Sequence, residues 1–192
     1  MAELRSYLGL LNYYGNFIPS LSTLLQPLHE LLRKGVKWAW TEVCGKAFVR
    51  SKSELVADKV LVPYDEKRKL ILACDASPYG VGAVISHVMD DGEERSIAFA
   101  SRTLTKSERN YSQIEKEALG IVFGVRKFHK NLYGRMFHLL TDHKPLVTIL
   151  RTKTAVSTLA AARMQRWAVI LQAYNYQVEY RSSAEHANTF TL

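Results

Sequence analysis

The apolar positions of the first 60 residues recur at helical spacing. Leu4, Leu8, Leu11 and Tyr14 share one face, and Gly15 interrupts the pattern. After Pro19, the set Leu21, Leu24, Leu25, Leu28, Leu31 and Leu32 predicts a second amphipathic helix, closed by Lys34-Gly35. Thr41 reads as the N-cap of a third helix that carries Ala47, Phe48, Leu55 and Val56. Trp38 and Trp40, just before it, read as packing anchors rather than as a base-stacking platform. Near Pro63 the period changes. Short β-type runs over 69–75, about 81–88 and 95–101 are separated by turn residues, including Pro78-Tyr79-Gly80 and Asp90-Asp91-Gly92.

The second half returns to alternating elements. Ser112-Gln113-Ile114-Glu115 has the capping-box form, and Ile114, Ala118, Ile121, Val122, Val125 and Phe128 make one apolar stripe behind it. Gly134 closes that segment, and 135–142 predicts a strand. Pro145 opens a short helix to about Leu150. Residues 158–173 predict a helix with Leu159, Met164, Trp167, Ala168 and Leu171 inward, and Tyr176 to Tyr180 alternates as a last strand. The first three strands are close enough in sequence for an antiparallel meander. The long helix then crosses over to a strand parallel to the first. The expected fold is α/β: a mixed five-stranded sheet with flanking helices over 63–192, preceded by an all-helical segment over 1–62.

On this frame three acidic residues stand out. Asp75 ends the run Leu70-Ile71-Leu72-Ala73-Cys74, and Asp142 ends the run Met136-Phe137-His138-Leu139-Leu140-Thr141. Both lie at the carboxyl ends of strands predicted to be parallel neighbours, where open α/β sheets place their functional crevice. A carboxylate closing a buried strand is costly unless its charge is compensated. A single strand-end aspartate is usually a turn former; two at matched ends, with a helical acid between them, suggest a divalent-metal site for phosphodiester chemistry. The apolar stripe does not choose between Glu115 and Glu117, which flank its opposite edges. Gly120 and Gly124 lie near the Glu117 edge and would let it approach closely, while Glu115 already serves the capping box.

Charge adds a partner to this picture. With 26 Lys and Arg against 18 Asp and Glu, the net charge is +8 and the pI about 9.5. That excess favours a polyanion, nucleic acid first and an anionic membrane surface second. No apolar run approaches the roughly 20 residues of a membrane span, and the N-terminus lacks a signal-peptide apolar region. The two cysteines, Cys44 and Cys74, do not form a disulfide framework, because Cys74 sits within a presumed buried strand. An intracellular location is expected.

Several strings, in order, resemble the ribonuclease H (RNase H) domain of reverse transcriptases from Ty3/Gypsy-type long-terminal-repeat retrotransposons. They are Cys74-Asp75-Ala76-Ser77 with Gly80 and Gly82-Ala83-Val84; Ser101-Arg102-Thr103-Leu104; Asn110-Tyr111-Ser112-Gln113-Ile114-Glu115-Lys116-Glu117-Ala118-Leu119; Thr141-Asp142-His143-Lys144-Pro145-Leu146; and Arg163-Met164-Gln165-Arg166-Trp167. Upstream, Leu4 to Tyr14, Phe17-Ile18-Pro19 and Trp40-Thr41-Glu42 resemble the thumb and connection at the end of the polymerase part, so nearly the whole chain is covered. The resemblance implies an RNase H-like fold and endonucleolytic cleavage of the RNA strand in RNA–DNA hybrids. It implies Asp75, Glu117 and Asp142 as ligands of two Mg²⁺ ions, with Mn²⁺ able to substitute. Arg102, Arg163 and Arg166 become candidate phosphate contacts. The implied partners are the hybrid and the polymerase part of the same polyprotein, with no membrane, in a cytoplasmic virus-like particle or the nucleus. The palm motif of a polymerase is absent, so the chain is not expected to synthesise DNA by itself.

One departure stands out. The family carries a fourth catalytic aspartate after a His-Ala-Asn-like segment. Here Glu185-His186-Ala187-Asn188 is followed by Thr189-Phe190; the resemblance puts Phe190 at the aspartate's place, and the domain is expected to be truncated before its terminal helix. Glu185, as a substitute ligand, and His186, as a proton carrier near the scissile phosphate, are auxiliary candidates; each also reads as an ordinary loop residue. The alternative to a nuclease is a catalytically impaired nucleic-acid-binding or structural connection module of the same origin.

Overall fold

The computed structural model describes residues 1–56, 61–152 and 162–182. Four helices come first: α1 (Ala2–Tyr13), α2 (Leu21–Leu24), α3 (Gln26–Glu30) and α4 (Glu42–Val56). A 3₁₀ turn, Gly15–Phe17, joins α1 to α2. These helices bury a cluster of their own, with Leu8, Leu11, Ile18, Leu25 and Leu28 at its centre and Cys44 and Ala47 from α4. The helix expected over the leucine run is broken into α2 and α3. Pro27 lies in the first turn of α3. It has no N–H to donate to the preceding turn, so it starts a helix and cannot continue one. Thr41 acts as expected at the head of α4, where its carbonyl accepts from Gly45 N–H at 3.0 Å. Trp38 and Trp40 pack against each other at 6.4 Å while remaining partly exposed. They are 42% and 48% exposed, and Trp40 meets Phe48 edge-on at 5.9 Å.

The sheet is built from β1 (Leu70–Ala76), β2 (Gly80–Val88), β3 (Glu94–Thr103), β4 (Met136–Thr141) and β5 (Asn175–Tyr180). Its order is β3-β2-β1-β4-β5. The meander β1-β2-β3 is antiparallel, and β4 and β5 run parallel to β1. Central β1 explains its unbroken apolar run. Leu70, Leu72 and Cys74 enter the core on one face, and Ile71 and Ala73 pack with Val84, Phe99 and Leu140 on the other.

The remaining helices are α5 (Lys106–Arg109), α6 (Gln113–Lys127), α7 (His129–Leu132), α8 (Lys144–Thr152) and α9 (Ala162–Gln172). Short α5 and α7 were not expected, although Thr105-Lys106-Ser107-Glu108 carries the same capping signature as α6 and forms the full box. The expected inward residue Leu159 lies outside the described residues. Among the described residues no helix is long and apolar enough to cross a membrane.

Helix α6 lies against β1 and β2 through its glycine edge. A β-carbon at Gly120 would meet the backbone oxygen of Asp75 at 3.3 Å. At Gly124 it would meet Cys74 Sγ at 2.8 Å and Ala83 Cβ at 3.1 Å. Neither neighbour is the far end of a flexible side chain, so the helix would have to move. Gly124→Ala gains helix propensity, but the overpacking dominates. It should destabilise the fold by about 1–3 kcal/mol in urea unfolding; an unchanged midpoint would disprove so close an approach.

Candidate active site

Parallel pairing sets the site. Ala73 of β1 is opposite Leu140 of β4, so two residues further on Asp75 and Asp142 leave neighbouring strands at the same level. Glu117, on the first turns of α6, is carried over β1 by the glycine edge. One carboxylate oxygen from each of Asp75, Glu117 and Asp142 lies within 4.8 Å of the others. Glu117 is 6% exposed, and the two aspartates are half-buried.

Local bonds hold two of these groups. Ala76 N–H donates to Asp75 Oδ1 at 2.8 Å. Gln113 Nε2 donates to Glu117 Oε1 from one helical turn earlier. Gln113 was not among the residues expected here. Its signal was the i, i+4 spacing to a glutamate that must turn inward. His143, next to Asp142, has a buried Nδ1 without a hydrogen-bond partner, and it also went unassigned.

The electrostatics separate the two glutamates. Burial, then Asp75 and Asp142, push Glu117 up to about 8. Burial and Asp142 likewise raise Asp75. No cation among the described residues offsets either shift. Glu115 is the opposite case. Burial opposes ionisation there too, but bonds from Ser112 N–H and Oγ, with Arg163 at 2.5 Å, hold it below its usual range.

This predicts a pH signature. The raised Glu117 keeps its proton in the folded chain while the unfolded chain loses it, so its contribution falls as pH rises from about 4.5 to about 8. Without metal, Glu117→Gln should melt at the wild-type temperature near pH 4.5 and above it at pH 8. A gap that did not widen with pH would remove the buried-acid assignment.

The donor set suits a hard cation. All three groups are carboxylates, the ligands that Mg²⁺ and Mn²⁺ accept. Neighbouring Cys74 offers no soft ligand, since burial, Glu117 and Asp75 drive its thiol well above the usual range. Both cysteines are free and buried.

The arginines divide. Arg102 forms a two-point bridge to Glu108 at 2.8 and 2.9 Å, which drives Glu108 down to about 2. Arg163 bridges to Glu115 and stacks 3.8 Å above the Tyr111 ring. Arg166 is exposed on α9. Glu185, His186 and Phe190 lie outside the described residues.

Residues 65–174 match the model of the RNase H-like domain found in reverse transcriptase. The chain belongs to this family. It is 36% identical over 187 residues to the Tf2-3 and Tf2-4 transposon polyproteins of Schizosaccharomyces pombe, Ty3/Gypsy-type relatives. The alignment covers 96% of the chain but only 14% of each polyprotein. Among solved structures, the foamy viral protease–reverse transcriptase bound to double-stranded DNA is similar with a TM-score of 0.72 and 22% identity, over 95% of this chain and 38% of that one. The same viral enzyme with an RNA/DNA hybrid gives 0.66 and 25%, over 94% and 24%. The RNase H-like domain thus has a mixed five-stranded sheet with flanking helices and a helical segment ahead of it.

Proposed function

We propose that this domain hydrolyses the RNA strand of RNA–DNA hybrids as the nuclease module of a retrotransposon reverse transcriptase, with residues 1–62 acting as its thumb and connection. The observation carrying this reading is the triad of carboxylate oxygens within 4.8 Å at the carboxyl ends of β1 and β4, close enough to raise both Asp75 and Glu117. Asp75, Glu117 and Asp142 would hold two divalent ions, Mg²⁺ or Mn²⁺. When bound, such ions supply an activated water and charge to stabilise the leaving 3′ oxygen. The chain's own residues orient the ligands. Ala76 N–H bonds Asp75 Oδ1 and also interacts with Glu117, whose Oε1 is held by Gln113. Buried Glu117 must lose a proton to serve, so ion binding should release protons below about pH 8.

The +8 charge supports a nucleic-acid partner. The foamy viral relative with a bound RNA/DNA hybrid supports a hybrid in particular. Recognition would come from hybrid shape and 2′-hydroxyl contacts. Of the three candidate arginines, Arg166 is exposed, whereas Arg102 and Arg163 are already paired with Glu108 and Glu115.

Cleavage of a strand-labelled hybrid tests this. We expect salt-sensitive binding and cutting of the RNA strand alone, faster in Mn²⁺ than in Mg²⁺ because Phe190 replaces the family's fourth carboxylate. Cutting by Asp75→Asn at the wild-type rate would sink the proposal. Phe190 also favours a second reading, a module that binds the hybrid without cutting it; binding with no cleavage in either metal would select it.

A further inference from the structure

The helical segment meets the sheet beside the turn that follows Asp75. Ser77 Oγ is the hub of that turn. It accepts from Gly80 N–H at 2.9 Å and Tyr79 N–H at 3.3 Å, and it lies 3.2 Å from the Gly80 carbonyl. Ser77 N–H also donates to that carbonyl at 2.9 Å. All of these contacts are local to the turn. Among the described residues, the one side-chain hydrogen bond from outside is from Thr23 of α2, whose Oγ1 lies 3.0 Å from Ser77 Oγ. Ser77 has a single hydroxyl proton. With that proton directed to Gly80 O, Thr23 O–H is the donor.

Gly80 is pressed against the same short helix. A β-carbon there would lie 2.7 Å from Ser22 Oγ, 3.2 Å from Thr23 Oγ1 and 3.0 Å from the Arg102 backbone oxygen. Ser22 N–H donates to Ser101 Oγ of β3 at 3.0 Å, which locks α2 to the next strand but one. The turn therefore sits between its own strands and α2. Asp75 is two residues before Ser77, and its Oδ1 is bonded to Ala76 N–H. A shift of Ser77 moves the Ala76–Ser77 peptide and, across the Ala76 α-carbon, bears on the N–H that orients Asp75.

We infer that Thr23 is a positioning residue: its hydroxyl, supplied by the upstream helical segment, fixes the β1–β2 turn and so the direction in which Asp75 meets Glu117 and Asp142. This rests on the carboxylates being a cation site. It makes the helical segment part of the nuclease rather than a tether, with α2 acting through the turn.

The test compares wild type, Thr23→Val and Thr23→Ser. Valine keeps the shape and removes the hydroxyl; serine keeps the hydroxyl. Three readouts are taken: Mn²⁺ titration by calorimetry, kcat and KM on a labelled hybrid, and amide hydrogen exchange at Gly80 in the metal-free protein. For Thr23→Val we expect Mn²⁺ affinity and kcat each lower by about fivefold, the effect of one neutral hydrogen bond, with KM unchanged and faster Gly80 exchange. Thr23→Ser should restore all three. Gly80→Ala, which pushes the turn off α2, should give the same split between kcat and KM. A Thr23→Val protein with fewer Mn²⁺ sites of unchanged affinity would show a merely structural role and overturn the inference. So would wild-type affinity, kcat and exchange. Absence of Mn²⁺ binding to wild type, or wild-type binding by Asp75→Asn, is a different failure: it would remove the cation site itself, and the positioning role with it.

Discussion

Glu117→Gln should lower RNA-strand cleavage by on the order of a hundredfold, while Glu115→Gln should leave it within a few-fold of wild type. The two residues are two positions apart on α6, which turns them to nearly opposite sides of the helix. Glu117 faces the aspartates from a buried position, and Glu115 faces Arg163 and Ser112. Glutamine at 117 keeps the volume and can still bond Gln113, so the fold survives. What is lost is an anionic oxygen beside the other two. Glutamine at 115 still accepts from Ser112 N–H. Its cost falls on the α6–α9 contact through Arg163, which is half-exposed and worth little to stability. A hybrid cleavage assay, with circular dichroism to check folding, decides the matter. The reverse ranking would mean that the reactive glutamate is Glu115.

The sheet and the site differed in how far they could be read from the sequence. Strands were legible because β1 and β4 are continuous apolar runs ended by turn residues, and their ends were placed within about two residues. Asp75 and Asp142 could be brought together from topology alone, since strand pairing carries adjacent ends to one level. Glu117 was harder. The hydrophobic stripe locates the face of α6 but not which polar edge leans over the strand. The glycine edge decides that, and its contacts with Asp75 and Cys74 exist only in three dimensions. The broken leucine helix was misread because six apolar residues at helical spacing outweighed one proline, although Pro27 was the stronger local constraint. The packing of Trp38 and Trp40 was legible, but not its extent: both rings meet aromatic neighbours and stay 42% and 48% exposed. The pairing of Arg102 with Glu108 was accessible through the capping box at Thr105. That of Arg163 with Glu115 spans 48 residues and was not.

The second large effect expected is on cation binding and stability together. Asp75→Asn and Asp142→Asn each remove one negative charge from a cluster whose oxygens lie within 4.8 Å. In the metal-free protein this relieves repulsion that the fold otherwise bears. Burial and then Asp142 raise Asp75, and burial, then Asp75 and Asp142, raise Glu117. Either variant should therefore melt at or above the wild-type temperature at pH 8, and the difference should shrink as pH falls through and below the unfolded-state carboxylate range, where the raised Asp75 and Glu117 carry their protons in folded and unfolded chains alike. With excess Mn²⁺ the order should reverse. A cation that binds only the folded state stabilises it by RT ln(1 + [L]/Kd), about 2.7 kcal/mol at a hundredfold excess over Kd. Wild type gains that increment, whereas a variant that has lost a ligand gains much less at the same concentration. Melting curves with and without Mn²⁺ thus separate a cation site from a merely repulsive cluster. If wild type and both variants shift equally with Mn²⁺, the ion binds elsewhere; if the variants melt below wild type without metal, the carboxylates act as hydrogen-bonded struts whose bonds outweigh their mutual repulsion.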